Sequence, residues 1–149
     1  MHNKETIYRA FLQLIREKVA GLQTILADLR ESASNETKST AGDKHETALA
    51  MLQIEQENTR RQLAEAMEQL SVMEKLDYWH GGEKVGKGSL VRTDRGMFFV
   101  AAAVGKIRIA EVTIVSISPH SPLGKALMGK GVGDKVEVNK LEYSIISVE

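Results

Sequence analysis

The sequence contains no cysteine. Disulfide frameworks and thiolate metal sites are thereby excluded, and a reducing cytoplasm is the expected setting. Aromatic residues make up only 5% of the chain, little for a large globular core but sufficient for a long helical hairpin. No apolar run approaches the roughly 20 residues needed to span a bilayer. The opening MHNKETIYRA has no apolar stretch of the kind a signal peptide carries. No membrane partner is therefore expected. None of the four histidines, His2, His45, His80 and His120, lies four residues from another, so a zinc-binding helix is absent. There is no G-x-S-x-G elbow and no thiol nucleophile. A self-contained enzyme with its own small-molecule substrate is not expected.

What the chain does have is helical periodicity. Tyr8, Leu12, Ile15, Val19, Leu22, Leu26 and Leu29 alternate by 4 and 3 residues, the seam of a coiled coil. Gly21 is its weak point. Near Arg30 the pattern stops, and residues 33–46, ASNETKSTAGDKHE, are rich in groups that favour caps and turns. The alternation resumes with Leu49, Leu52, Gln56, Thr59, Leu63, Ala66, Leu70 and Met73. Gln56 and Thr59 are polar seam positions, which cost stability and fix register. Folding the chain near residue 39 or 40 sets Leu22 by Gln56, Ile15 by Leu63 and Tyr8 by Leu70. The spacing predicts two helices, over 5–32 and 43–76, packed antiparallel with a tip near 33–46. An intermolecular coiled coil is the alternative. At 1.5 Å per residue, helices of roughly 30 residues make a rod of about 45 Å.

Gly81-Gly82 closes the helical region and marks a boundary, dividing the chain into 1–77 and 78–149. The first part holds 10 Lys/Arg and 13 Asp/Glu, a net −3, and the second holds 10 and 7, a net +3. That asymmetry is too mild to mark a nucleic-acid binder by itself. In the second part the period changes. Residues 89–93 and 97–101 flank Asp94-Arg95-Gly96, a hairpin turn. Residues 111–118, EVTIVSIS, read as a strand that Pro119 ends by removing a ladder donor. Ser121 caps a short helix with Pro122 at its first position, and that helix stops at Gly129. Strands follow at 135–138 and 142–148. The expected fold class is α+β: a coiled-coil hairpin followed by a small, mainly antiparallel sheet with one short helix.

Two stretches approach a phosphate-binding loop, GGEKVGKG at 81–88 and GKALMGKG at 124–131. Each has Gly where the magnesium-holding hydroxyl belongs, and neither lies between a buried parallel strand and a long helix, so nucleotide binding is not expected. Asp43 and Glu46 carry two readings. As a capping box, Asp43 accepts the N–H three residues on and Glu46 reaches back, both carboxylates favouring the positive helix end. As a functional pair, two carboxylates on a bare tip supply oxygen ligands to Mg²⁺, which takes one or two carboxylates and draws its other ligands from elsewhere.

The stretch Ile117-Ser118-Pro119-His120-Ser121-Pro122-Leu123-Gly124-Lys125-Ala126-Leu127-Met128-Gly129-Lys130, followed by Gly133-Asp134-Lys135-Val136-Glu137-Val138, resembles the Gre bacterial transcription elongation factors. Gly42-Asp43-Lys44-His45-Glu46-Thr47-Ala48 is similar to that family's tip. The resemblance implies an FKBP-like C-terminal domain and an N-terminal antiparallel coiled coil. It implies RNA polymerase as the partner, with the C-terminal domain docking at the rim of the secondary channel and the tip reaching the active centre. Asp43 and Glu46 would help hold a Mg²⁺ shared with the polymerase, and none bound by this chain alone, during hydrolysis of backtracked RNA. The nascent RNA 3′ end would be met only indirectly. His120, Ser121, Pro122 and Leu123 would form the docking element. Position 120 is His where the family commonly has Asp or Asn, and position 47 is Thr rather than Asn. A channel-binding regulator without cleavage, and a coiled-coil scaffold, are the alternative functions.

Overall fold

The computed structural model describes residues 3–37, 42–79 and 81–149, and the side chains among them except those of 37 and 42–45. The chain forms two compact units, one of residues 1–15 and 69–149 and the other of residues 16–68. Two helices pass through both units: α1, Lys4–Thr37, and α2, Gly42–Glu74.

Within residues 16–68 the seam positions are the ones that lose solvent. Val19, Leu22 and Leu26 of α1 are buried, and so are Gln56, Thr59 and Ala66 of α2. Arg60 donates to the Gln56 side-chain oxygen at 3.1 Å, so this polar seam residue keeps a partner as burial requires. The end of α1 lies beside the start of α2. Ala33 and Ser34 line one recess with Leu49, Gln53, Gln56 and Arg60, an antiparallel arrangement. One expectation is corrected. The Ser- and Asn-rich stretch from residue 33 does not leave the helix, because α1 continues to Thr37. Helix propensities of Ser and Asn are weak preferences that tertiary packing overrides, and here Ala33 and Ser34 pack by α2.

The other unit is a six-stranded sheet packed on both faces. Its strands are β1 Leu90–Thr93, β2 Gly96–Val100, β3 Gly105–Ile109, β4 Val112–Ile117, β5 Lys135–Val138 and β6 Leu141–Val148, in spatial order β3-β4-β2-β1-β6-β5. All neighbours run antiparallel except β2 and β4, which are parallel. Strand β3 was not expected from the sequence. One face packs on α3, Pro122–Leu127, in a cluster that includes Val91, Val100, Leu127, Val136 and Ile145. The opposite face meets the paired ends of α1 and α2. Phe11 stacks on Phe99 with ring centroids 5.7 Å apart, Tyr8 stacks on Tyr78 at 4.1 Å, and Gln69 donates to the Ala103 carbonyl at 3.1 Å. Ile7, Phe11 and Ile15 are fully buried. The Tyr8 hydroxyl donates to the Met73 carbonyl at 2.7 Å, which holds the start of α1 against the end of α2. Asn3 caps α1, its side-chain oxygen accepting the Glu5 N–H at 2.9 Å.

Candidate functional site

The loop between β4 and α3 is fixed by its own hydrogen bonds. Ser118 is their hub. Its hydroxyl oxygen accepts the His120 N–H at 3.1 Å. Its carbonyl accepts the Ser121 hydroxyl at 2.6 Å and the Ser121 N–H at 3.1 Å. The Ser121 oxygen then accepts the Gly124 N–H at 3.1 Å, which makes Ser121 the N-cap of α3 with Pro122 first in the helix. Both roles were legible in the sequence.

Gly124 closes the arrangement. A Cβ there would collide with the Ser118 carbonyl and approach the Pro119 Cα to 2.9 Å, so the helix start lies directly on the loop. Leu123 packs against the apolar cluster, while Pro122 and the His120 side chain face solvent. The result is a short, hydrogen-bonded projection with His120 and Pro122 exposed, Ser121 half-buried and Leu123 as its anchor. Four expected partner-binding residues are thus brought together. Ser118 and Gly124, which hold them, were within the stretch read from the sequence but were not singled out.

The second candidate site is at the start of α2. The helix opens at Gly42, which puts Asp43 in its first turn. The Asp43 side chain, and the capping contact expected of it, lie outside the described residues. Glu46 is exposed. Among the described residues no group of three or more His, Asp or Glu side chains could hold a metal ion.

The two glycine-lysine stretches lie against each other. The Val85 N–H donates to the Lys130 carbonyl at 2.7 Å, the Gly129 N–H donates back to the Val85 carbonyl at 2.8 Å, and Lys84 bridges Gly131. Neither follows the strand–loop–long-helix order of a phosphate loop. Beside them is an open cavity of about 680 Å³ lined by Gly81, Gly82, Glu83, Lys84, Val132 and Asp134 among others. Across the described residues, no helix is long and apolar enough to cross a membrane.

Residues 106–149 match the family model described as transcription elongation factor, GreA/GreB, C-terminal. That segment contains the whole β4–α3 loop and the strands that carry it. No curated protein matches the chain. A solved structure described as that of the transcription factor Gfh1 is similar over 95% of this chain and 92% of its own, at 22% identity and a TM-score of 0.35.

Proposed function

We propose that this chain is a Gre-like transcription elongation factor that binds RNA polymerase at its secondary channel and stimulates cleavage of backtracked RNA. The observation that carries the reading is the family match over residues 106–149, which encloses the locked loop His120–Leu123. That loop is the docking element. Its rigidity suits the role, since a contact surface held by packing and hydrogen bonds loses little freedom on binding. The start of α2 is the working tip. Two carboxylates are too few for a metal site of their own, and they fit a Mg²⁺ that takes its remaining ligands from the polymerase. When bound, the ion polarises the scissile phosphate and activates water. Asp43 and Glu46 supply negative charge beside it, and the chain acts as an accessory factor and not as the enzyme. A second reading, a channel-binding regulator without cleavage, draws on Thr47 and on Lys38 and Lys44, which dilute the charge of this stretch.

Transcript cleavage on stalled elongation complexes tests the proposal. Asn caps a helix about as well as Asp, and Gln preserves a capping box. Asp43→Asn with Glu46→Gln should therefore leave stability within about 1 kcal/mol and abolish stimulation, with polymerase binding retained. Stimulation equal to the parent's would reduce the pair to helix caps. A parent that binds polymerase yet stimulates nothing would favour the regulator. Ser121→Glu with Pro122→Ala should weaken binding itself, and unchanged binding would place the contact elsewhere.

A further inference from the structure

Helix α3 covers only part of its sheet face. The cluster beneath it takes Val91, Val100, Val136 and Ile145 from four strands and Ile117 from the end of β4, but nothing from β3. The register places the uncovered positions in rows. Phe98, Val115 and Lys106 lie side by side across β2, β4 and β3. Thr113 and Arg108 pair in the next row, and Gly96 lines a recess with Thr113 and the exposed Glu111. Lys106, Arg108, Thr113 and Gly96 are exposed, and Phe98 and Val115 are half-buried. At the margin of the same face the Arg95 guanidinium lies 6.0 Å from the Tyr143 ring centre, and Tyr143 meets Phe98 edge-on at 6.1 Å.

The exposed charges of β3, Lys106 and Arg108, are both cations, and the acid Glu111 lies in the turn that follows. Neither Lys106 nor Arg108 has an ion-pair partner among the described residues. Charged side chains on an edge strand also deter strand pairing. That role does not account for Thr113 and the half-buried Phe98 on the same face. Same-face neighbours in a strand are about 7 Å apart, close to the spacing of successive phosphates in an extended single strand.

We propose that this face binds single-stranded nucleic acid. Lys106 and Arg108 contact successive phosphates, the Thr113 hydroxyl donates to a backbone oxygen, and the exposed part of Phe98 lies against a base. Single strands are bound in this way, by cations that track the backbone and aromatic side chains that stack. A duplex is disfavoured because a broad sheet face does not fit into a groove. An acidic peptide would use the cations but not the aromatic pair.

Fluorescence anisotropy of a short labelled single-stranded RNA, with the full chain and no polymerase, provides the test. The outcome is independent of whether the chain docks on polymerase. With two cationic phosphate contacts, affinity should fall roughly sevenfold between about 50 and about 200 mM salt. Lys106→Gln with Arg108→Gln should weaken binding at low salt and remove most of that fall. Phe98→Leu, which keeps an apolar side chain in place, should cost about fivefold. Circular dichroism matching the parent's would confirm that the variants fold. No binding by the parent at low salt, an unchanged salt dependence in the double variant, or equal competition by a polyglutamate of the same charge would each overturn the proposal.

Discussion

A single absent Cβ determines how the β4–α3 loop is built. Gly124 lies so close to Ser118 and Pro119 that any larger residue must push the helix off the loop. Gly124→Ala should therefore destabilise the fold by about 1–3 kcal/mol, where an ordinary helical Gly→Ala change would stabilise it. Urea unfolding reads the sign directly. The cap at Ser121 was legible because capping is local and its signal spans three residues. The constraint on Gly124 was not, since its neighbour is six residues away across a turn. Lys4 is a second residue whose behaviour only the structure reveals. Burial pushes its pKa below the ordinary value, against the smaller attraction of Glu149 and Asp77. The folded state thus holds the Lys4 proton less tightly than the unfolded state does. Its charge is a penalty at neutral pH, and that penalty fades as pH rises through the folded pKa toward the unfolded one. Parent and Lys4→Met should therefore converge in stability between neutral and alkaline pH, the parent gaining on the variant. Urea midpoints diverging the other way would mean that the attraction outweighs burial.

At the scale of elements, the sequence revealed those whose signals agree. Both long helices, the β1–β2 hairpin, β4, α3, β5 and β6 all follow from periodicity and punctuation. Strand β3 escaped because its hairpin to β4 turns on Ala110 and Glu111, with φ of 49° and 67°. Such a turn normally announces itself by Asn-Gly. The comparable β5–β6 turn at Asn139 and Lys140, φ 52° and 67°, carries Asn and lies between strands that were read correctly. The extension of α1 to Thr37 escaped for the opposite reason. Its residues signal a turn, and packing beside α2 overrides them. Two residues without a preference for positive φ cost about 1–2 kcal/mol each in that region. Replacing them, Ala110→Asn with Glu111→Gly, should raise stability by about 1 kcal/mol net of the glycine's entropy. A midpoint shift of that size in urea, with unchanged m-value, is the expected result. A loss of stability would show that Glu111 makes a contact worth more than the strain it bears.

On the scale of the whole molecule, the compact unit that holds the sheet also takes in residues before the boundary that the sequence marks. The glycine pair at 81–82 reads as a division, yet the sheet face that carries Leu90, Phe99 and Ile114 is closed by side chains from the first helix. Ile7, Phe11 and Ile15 are fully buried, and Phe11 stacks directly on Phe99. Each such side chain contributes about 1.5–3 kcal/mol on burial, so removing all of them would forfeit roughly 5–9 kcal/mol. A domain of this size has about 5–15 kcal/mol in total at best. Residues 78–149 expressed alone should therefore be largely unfolded or aggregated. A chain keeping residues 1–15 and 69–149, with the intervening hairpin replaced by a short glycine-serine linker, should stay folded, because it keeps Ile7, Phe11 and Ile15, the Phe11–Phe99 stack and the Tyr8–Met73 hydrogen bond. Near-ultraviolet circular dichroism and cooperative urea unfolding distinguish the two. If 78–149 alone unfolds cooperatively with the stability of the linked form, the helix ends are only resting on the sheet. If both fail, the sheet's stability needs more than the packing at Phe11 and Tyr8.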